Sequence, residues 1–301
     1  MSVIKISVVI NTFNEAKNLP RVLESVKDFA DEIVVVDMKS DDDTQKIAKE
    51  FEAHVYEHER MGYVEPARNF AIEKATGEWI LILDADEELT PQLAQELQKI
   101  ADDGTVDYAT VPRKNIIFGK WMQHSRWWPD YNIRFFKKGK VTWGDEIHSV
   151  PLTNGNGTDV EAHESNAIIH HHYDSVDQYV ERLNRYTTKQ AEMKHNAGYS
   201  FQWQDLIIRP SNEFLSRYFF GKGYLDGVHG LAVASLQAFS ELVLYLKLWQ
   251  MQKFIKKDIS YKEVISTLKQ TQKDQNYWMA DAFVNEHGGF TNKIKRKLKL
   301  P

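Results

Sequence analysis

The 301-residue chain contains no cysteine. That excludes disulfides, thiolate metal sites and cysteine nucleophiles, and it fits a reducing compartment. Neither sign of charge dominates: 38 basic against 43 acidic residues leave a net charge of −5, so nothing global points to nucleic acid. Long hydrophobic runs are also missing. The best membrane-spanning candidate, "LAVASLQAFSELVLYLKLW" (231–249), is interrupted by Ser, Gln, Glu and Lys and reads as amphipathic instead. The opening stretch "MSVIKISVVINTFNE" lacks the charged n-region and cleavage site of a secretory leader, and its apolar run is far too short for a bilayer. There is no internal repeat. The composition is that of an ordinary globular protein, long enough for one large domain or a domain with an appendage.

The first hundred residues alternate between two periodicities. "KISVVINT" (5–12), "EIVVVD" (32–37) and "WILILD" (79–84) are continuous apolar runs, as strands buried on both faces require. Between them "EAKNLPRVLESVKDFA" spaces Leu19, Val22, Leu23 and Val26 as a helix does. "DDDTQKIAKEFEA" and "YVEPARNFAIEKATG" also read as helices, the second ending near Gly77, with "HVYEH" (54–58) a short strand between them. Repeated βαβ units predict a mostly parallel, Rossmann-like α/β sheet with helices on both faces. Ligands of such sheets sit beyond the carboxyl ends of the strands, where Asn11 to Glu15, Asp37 to Asp43 and Asp84 to Glu87 fall. From about 105 to 172 shorter strand-like pieces predict a mixed or antiparallel extension. From 175 onward the chain reads as mainly helical. The expected division is an α/β domain over 1–174 and a mainly helical C-terminal region over 175–301.

"GEWILILDADEELT" (77–90) drives a buried strand straight into clustered carboxylates. Such a cluster is costly unless positive charge offsets the repulsion. A divalent cation does so well, since hard oxygen ligands suit Mg²⁺ or Mn²⁺. Asp84 and Asp86, alternate residues of a turn expected at the surface, can flank one ion. The competing reading is a solvated loop or helix cap. Thr90 followed by Pro91 already supplies the cap for "TPQLAQELQKI".

"SVVINTFNE", "VVVDMKSDDDT" and "GYVEPARNFAIEKATGEWILILDADE", in this order and spacing, resemble family 2 glycosyltransferases of the GT-A fold. "WWPDYNIRFFKKGKVTWGDEIH" and the stretch from "FLSRYFFGKG" to about 250 are similar to a bacterial subgroup that includes lipopolysaccharide-core glucosyltransferase-like enzymes. The resemblance implies inverting transfer from a nucleotide sugar, usually UDP-linked, with a divalent metal. It implies Asp86 as direct metal ligand, Asp84 on ribose or metal, and Glu87 near that site. Thr12, Asn14, Glu15 and Asp37 would line the donor pocket, joined by Ser40, which with Asp43 matches the family loop less closely and reads equally as part of a helix N-cap region; Arg68 would face the phosphates, the alternative being a surface ion pair. For the general base, Asp130 ranks first, then Glu146 and Asp145; the Glu-Asp pair that many members carry is not present in clear form. His148 is a third metal ligand or a loop anchor, although the family's acid after that histidine is a serine here.

Further features leave alternatives open. In "HHHY" (170–173) only His170 and His172 can share a face if the segment is a strand. Trp121, Trp127, Trp128 and Trp143 are acceptor platforms or core. "RYFFGKGYLDG" (217–227), the apolar segment after it and the basic "NKIKRKLKLP" (292–301) fit either an anionic membrane surface or a helical pair with a solvated end. The acceptor is expected to be a saccharide or lipid-linked glycan, and the location cytoplasmic or peripheral at the inner face of the cell membrane. A nucleotidyltransferase is disfavoured because "NTFNEAKN" (11–18) has no glycine, and a noncatalytic nucleotide- or glycan-binding protein of the same fold is the other competitor.

Overall fold

The computed structural model describes residues 5–60, 65–144 and 151–300. In chain order its strands begin with β1 (Ile6–Thr12), β2 (Glu32–Asp37), β3 (His54–Glu57), β4 (Trp79–Asp84), β5 (Glu87–Glu88) and β6 (Tyr108–Ile117). They continue as β7 (Lys120–Trp121), β8 (Asp130–Lys137), β9 (Val141–Thr142), β10 (Leu152–Thr153), β11 (Gly157–Asp159) and β12 (Ile168–Tyr173). Helices α1 (Leu19–Val26), α2 (Thr44–Glu50), α3 (Glu65–Lys74) and α4 (Pro91–Asp103) accompany the early strands. Helices α5 (Val176–Asn196), α6 (Asp205–Leu215), α7 (Val228–Met251), α8 (Tyr261–His287) and α9 (Phe290–Leu298) follow.

Two compact units share the chain, residues 1–116 with 129–172 and residues 117–128 with 173–301. Residues 117–128 therefore belong with the helical unit, an excursion that periodicity alone does not reveal.

In the first unit the sheet runs β3-β2-β1-β4-β8-β6-β12-β5. The β3, β2, β1 and β4 strands are mutually parallel, while β8 is antiparallel to both β4 and β6. One face packs Val8, Ile10, Leu81 and Leu83 against α1 and α4 through Leu19, Val22, Leu23, Leu93 and Leu97. The other packs Val9, Val34, Ile80 and Ile82 against α3 through Ala67 and Ala71. Burial on both faces is the reason the early strands read as unbroken apolar runs. Thr90 caps α4 as expected, its Oγ1 accepting from Leu93 N at 3.3 Å. Gly77, expected to end α3, lies beyond it. A Cβ there would sit 2.6 Å from Ser7 Oγ, so the residue is small because β1 passes close by.

The second unit is helical. Helix α7 is long and apolar enough to cross a bilayer by length and composition, and it packs against α5 and α6. It is apolar on both sides rather than amphipathic as expected. Val233, Ala234, Leu244 and Leu248 are buried, while Val228, Leu231, Phe239 and Leu246 are exposed.

Candidate active site

The carboxyl ends of β2, β1 and β4 lie side by side. Thr12 pairs with Asp37 across β1 and β2, and Asn11 pairs with Asp84 across β1 and β4. Neighbouring strands are about 4.8 Å apart, so Asp37 and Asp84 stand on the order of 10 Å from each other along one sheet edge. The polar residues expected at strand ends are thus brought together.

Asp37 is fully buried. Its Oδ1 accepts from Thr12 Oγ1 at 3.0 Å and Ser40 Oγ at 2.5 Å; its Oδ2 accepts from Ser40 N at 2.8 Å and Gln45 Nε2 at 2.9 Å. The loops after β1 and β2 are laced together. Asn14, held at a φ of 54°, donates its N–H to Ser40 Oγ at 2.8 Å and accepts from Asp41 N at 2.8 Å. The Glu15 N–H donates to Thr44 Oγ1 at 2.9 Å, and the Glu15 carboxylate accepts from Asn18 at 2.8 Å. Asp43 precedes α2 without a side-chain cap bond.

Asp84 has a different environment. Arg68 Nη2 donates to its Oδ1 at 2.8 Å and Arg134 Nη2 to its Oδ2 at 2.7 Å. Burial raises the Asp84 carboxyl, but the Arg134 and Arg68 charges outweigh it and hold the group well below the usual carboxylate range. Arg68, expected on phosphates, is therefore an Asp84 partner in this state.

A polar ladder continues from there. Arg134 Nη2 also donates to Glu87 Oε1 at 2.8 Å, and Arg113 Nη1 reaches the same oxygen at 3.2 Å. Arg113 then forks onto Asp130 Oδ2 through Nε at 2.9 Å and Nη2 at 2.6 Å. Asn115 Nδ2 donates to that oxygen at 3.2 Å, and His170 Nδ1 meets Asn115 Oδ1 at 2.7 Å. His170 Nε2 lies 3.7 Å from Asp86 Oδ1 and 3.1 Å from His172 Nδ1.

The acid turn is not a surface feature. Asp86 is 8% exposed and Glu87 0%. Glu87 begins β5, which pairs with β12, and its Oε2 accepts from Asp84 N at 2.9 Å. His170 and His172 share a face while His171 turns to Glu88 at 3.1 Å, the alternation a strand imposes. Burial raises the Asp130 carboxyl, yet the Arg113 charge and the Asn115 and Arg113 hydrogen bonds leave it lowered overall. Asp145, Glu146 and His148 lie outside the described residues. Of the tryptophans, Trp143 is buried core against Phe136, with the Arg68 guanidinium 5.8 Å from its ring. Trp121 meets Trp128 edge-on within the second unit, where Trp127 lies 5.2 Å from the Arg217 guanidinium.

Arg113, Asn115 and Arg134 were not among the expected site residues. Their signal was polar alternation, in "DYNIR" at 130, 132 and 134 and in "RKN" at 113 and 115, within strands otherwise rich in apolar residues.

The donor set bears on the metal. Among the described residues no group of three or more His, Asp or Glu converges to hold an ion. Among the described residues, Asp86 with a nearby imidazole, and Asp84 once a guanidinium lets go, supply fewer ligands than a resident ion takes. They fit Mg²⁺ or Mn²⁺ arriving with phosphate oxygens, which such ions commonly retain as ligands. Buried N–H groups of Arg68 and Arg134 (Nε of both, Nη1 of Arg134) have no partner among the described residues, donor chemistry suited to an oxyanion.

The profile of glycosyl transferase family 2 matches residues 7–155. An uncharacterized glycosyltransferase of Rickettsia typhi is 30% identical over 288 residues, 91% of this chain and 98% of its own. The chain belongs to glycosyl transferase family 2. The lipopolysaccharide core biosynthesis glycosyltransferase LpsC of Rhizobium meliloti is 26% identical to this transferase over 256 residues, 81% of this chain and 92% of LpsC. Among solved structures, residues 1–349 of S. aureus TarS in complex with UDP match at a TM-score of 0.44 and 14% identity, covering 86% of this chain and 95% of that one. The mostly parallel sheet with its antiparallel extension and C-terminal helices is the GT-A architecture that the sequence resemblance implied.

Proposed function

We propose that this glycosyltransferase inverts the anomeric centre of a nucleotide-linked sugar, a UDP-hexose, as it moves the sugar to a saccharide or lipid-linked glycan. The observation that carries the reading is the shared sheet edge, where the Asp37 cage and the Asp84–Asp86 turn stand two strands apart. That separation suits a nucleoside at one end and its diphosphate at the other.

Thr12, Asn14, Glu15, Asp37 and Ser40 form the nucleoside end. Asp86, with Asp84, would hold a Mg²⁺ or Mn²⁺ ion on the diphosphate. Bound there, the ion supplies positive charge to the leaving group as the glycosidic bond breaks. Arg68 lies beside Asp84, close enough to shift to the diphosphate when donor enters. In the transfer step the acceptor oxygen bonds to the anomeric carbon, the carbon–phosphate-oxygen bond breaks and the nucleoside diphosphate leaves. The hydroxyl proton passes to a carboxylate.

The fork from Arg113 makes Asp130 a weak proton acceptor, since efficient general bases are poised near the working pH. Asp130 Oδ1, which among the described residues accepts a long hydrogen bond from Asn132 Nδ2 at 3.4 Å, is better suited to accept a hydrogen bond that orients the acceptor. The proton then falls to Glu146 or Asp145. That LpsC is named for lipopolysaccharide core biosynthesis supports a glycan acceptor.

The test is thermal shift with UDP, GDP and dTDP sugars, with and without Mn²⁺, followed by nucleotide release. Ligand that binds the native state raises the Tm. The expected result is a rise with a UDP-hexose that Mn²⁺ enlarges, together with slow UDP release. A rise without release under any acceptor would favour a binding protein, and no rise with any sugar nucleotide would end the reading.

A further inference from the structure

Helix α9, "FTNKIKRKL", spaces Phe290, Ile294 and Leu298 four apart, so the three share one face of the helix. A helix added to a folded unit ordinarily turns such a stripe inward. Here the polar side faces the protein. Arg296 Nη1 donates to Asp281 of α8 at 2.9 Å, Lys299 Nζ to Asp274 at 2.7 Å, and Asn276 Nδ2 to Lys299 O at 3.2 Å. The stripe is left in solvent, with Phe290 79%, Ile294 40% and Leu298 58% exposed. At about 100° per residue, Lys293 and Lys297 border it on one side and Lys295 on the other. Among the described residues none of these three lysines enters an ion pair, whereas Arg296 and Lys299 do.

An apolar stripe with unpaired lysines along both borders matches one surface in particular. Its core inserts at the acyl boundary and its cations reach lipid phosphates, with the lysine stems lying along the apolar zone. A second copy of this chain is a poor occupant. A two-fold contact through the stripe would set the same lysines of both copies against one another, which costs free energy.

We infer that α9 docks this enzyme on an anionic bilayer. Phe290, Ile294 and Leu298 insert, and Lys293, Lys295 and Lys297 contact the headgroup phosphates. The docking does not depend on the donor reading, because lipid binding is measured without sugar nucleotide.

The test is co-sedimentation of the full chain with vesicles of phosphatidylcholine alone and of an equal mixture with phosphatidylglycerol. Binding is expected only to the mixed vesicles and is expected to fall with added salt. Lys293→Glu, Lys295→Glu and Lys297→Glu together should weaken it at least about a hundredfold, at roughly fivefold or more per lysine. Phe290→Ser, Ile294→Ser and Leu298→Ser together should reduce it to background with the thermal unfolding curve unchanged, since the three side chains are exposed. Failure of the unaltered protein to bind mixed vesicles overturns the inference. So does equal binding by both variants, or a dimer in light scattering that the serine substitutions abolish.

Discussion

Asp37 and Asp84 end strands on either side of β1, yet their carboxylates are held in opposite ways. Asp37 is surrounded by two hydroxyls, a backbone amide and a side-chain amide, which are all neutral. Asp84 sits between two guanidinium groups. Neutral donors fix a carboxylate's direction and leave its charge uncompensated, so an Asp37 cage can orient a neutral polar partner such as a base or ribose. Guanidinium groups cancel the charge, and a cation can use Asp84 only if Arg68 or Arg134 is drawn elsewhere, for instance onto phosphate. The same residue type is thus a fixed acceptor at one strand end and an exchangeable partner at the other.

The comparison breaks most severely at Arg134. Arg134→Met would leave Asp84 and the fully buried Glu87 short of countercharge, and the expected loss is about 3–5 kcal/mol of stability by chemical denaturation. A loss under 1 kcal/mol would mean that solvent, rather than the guanidinium, satisfies these acids. Next is Asp86→Asn. Removing one charge-stabilising group at a leaving group typically lowers kcat by about 10²–10³-fold. The expected Tm change is smaller than for Arg134→Met, because the amide keeps the side chain's shape and removes one charge, whereas Arg134→Met removes a guanidinium shared by two acids. Unfolding of Asp86→Asn at room temperature would make the turn structural.

Much of this was legible in the sequence for a physical reason. Strands buried on both faces leave continuous apolar runs, and βα alternation fixes where their carboxyl ends lie, so the sequence pattern alone puts Thr12, Asp37 and Asp84 on one edge. The resolution of the acid cluster was less legible. A cation was expected to relieve the repulsion, whereas Arg68, Arg113 and Arg134 already do much of it, two of them from strands β6 and β8 far along the chain. Charge compensation across a sheet depends on which strands become neighbours, and periodicity does not report that. The inward turn of Glu87 has the same origin: a two-residue strand, β5, gains its partner only when β12 arrives.

The ladder also gives the protein an acid limb. Asp84 and Asp130 are both lowered below their unfolded values. Protons therefore bind the unfolded chain more readily, and the stabilisation is complete above pH ~5 and lost progressively as pH falls from there toward the folded values. Calorimetry from pH 6 to 3 should show a decline on the order of 2 kcal/mol. Asp130→Asn should flatten that decline while lowering stability at pH 6. An unchanged slope would remove Asp130 from the set of paired carboxylates.

The smallest effects belong to the Asp37 cage, where the contrast with Asp84 becomes quantitative. Thr12→Val and Gln45→Leu each delete one neutral donor and leave the carboxylate other partners, so each should cost about 1 kcal/mol. Because both act on one carboxylate, the double variant should cost more than the sum of the two, as coupled partners do. The loss should be insensitive to salt, since neither deleted donor is charged. If the single losses instead approached that of Arg134→Met, Asp37 would depend on its neighbours as strongly as Asp84 does, and the two strand ends would share one design.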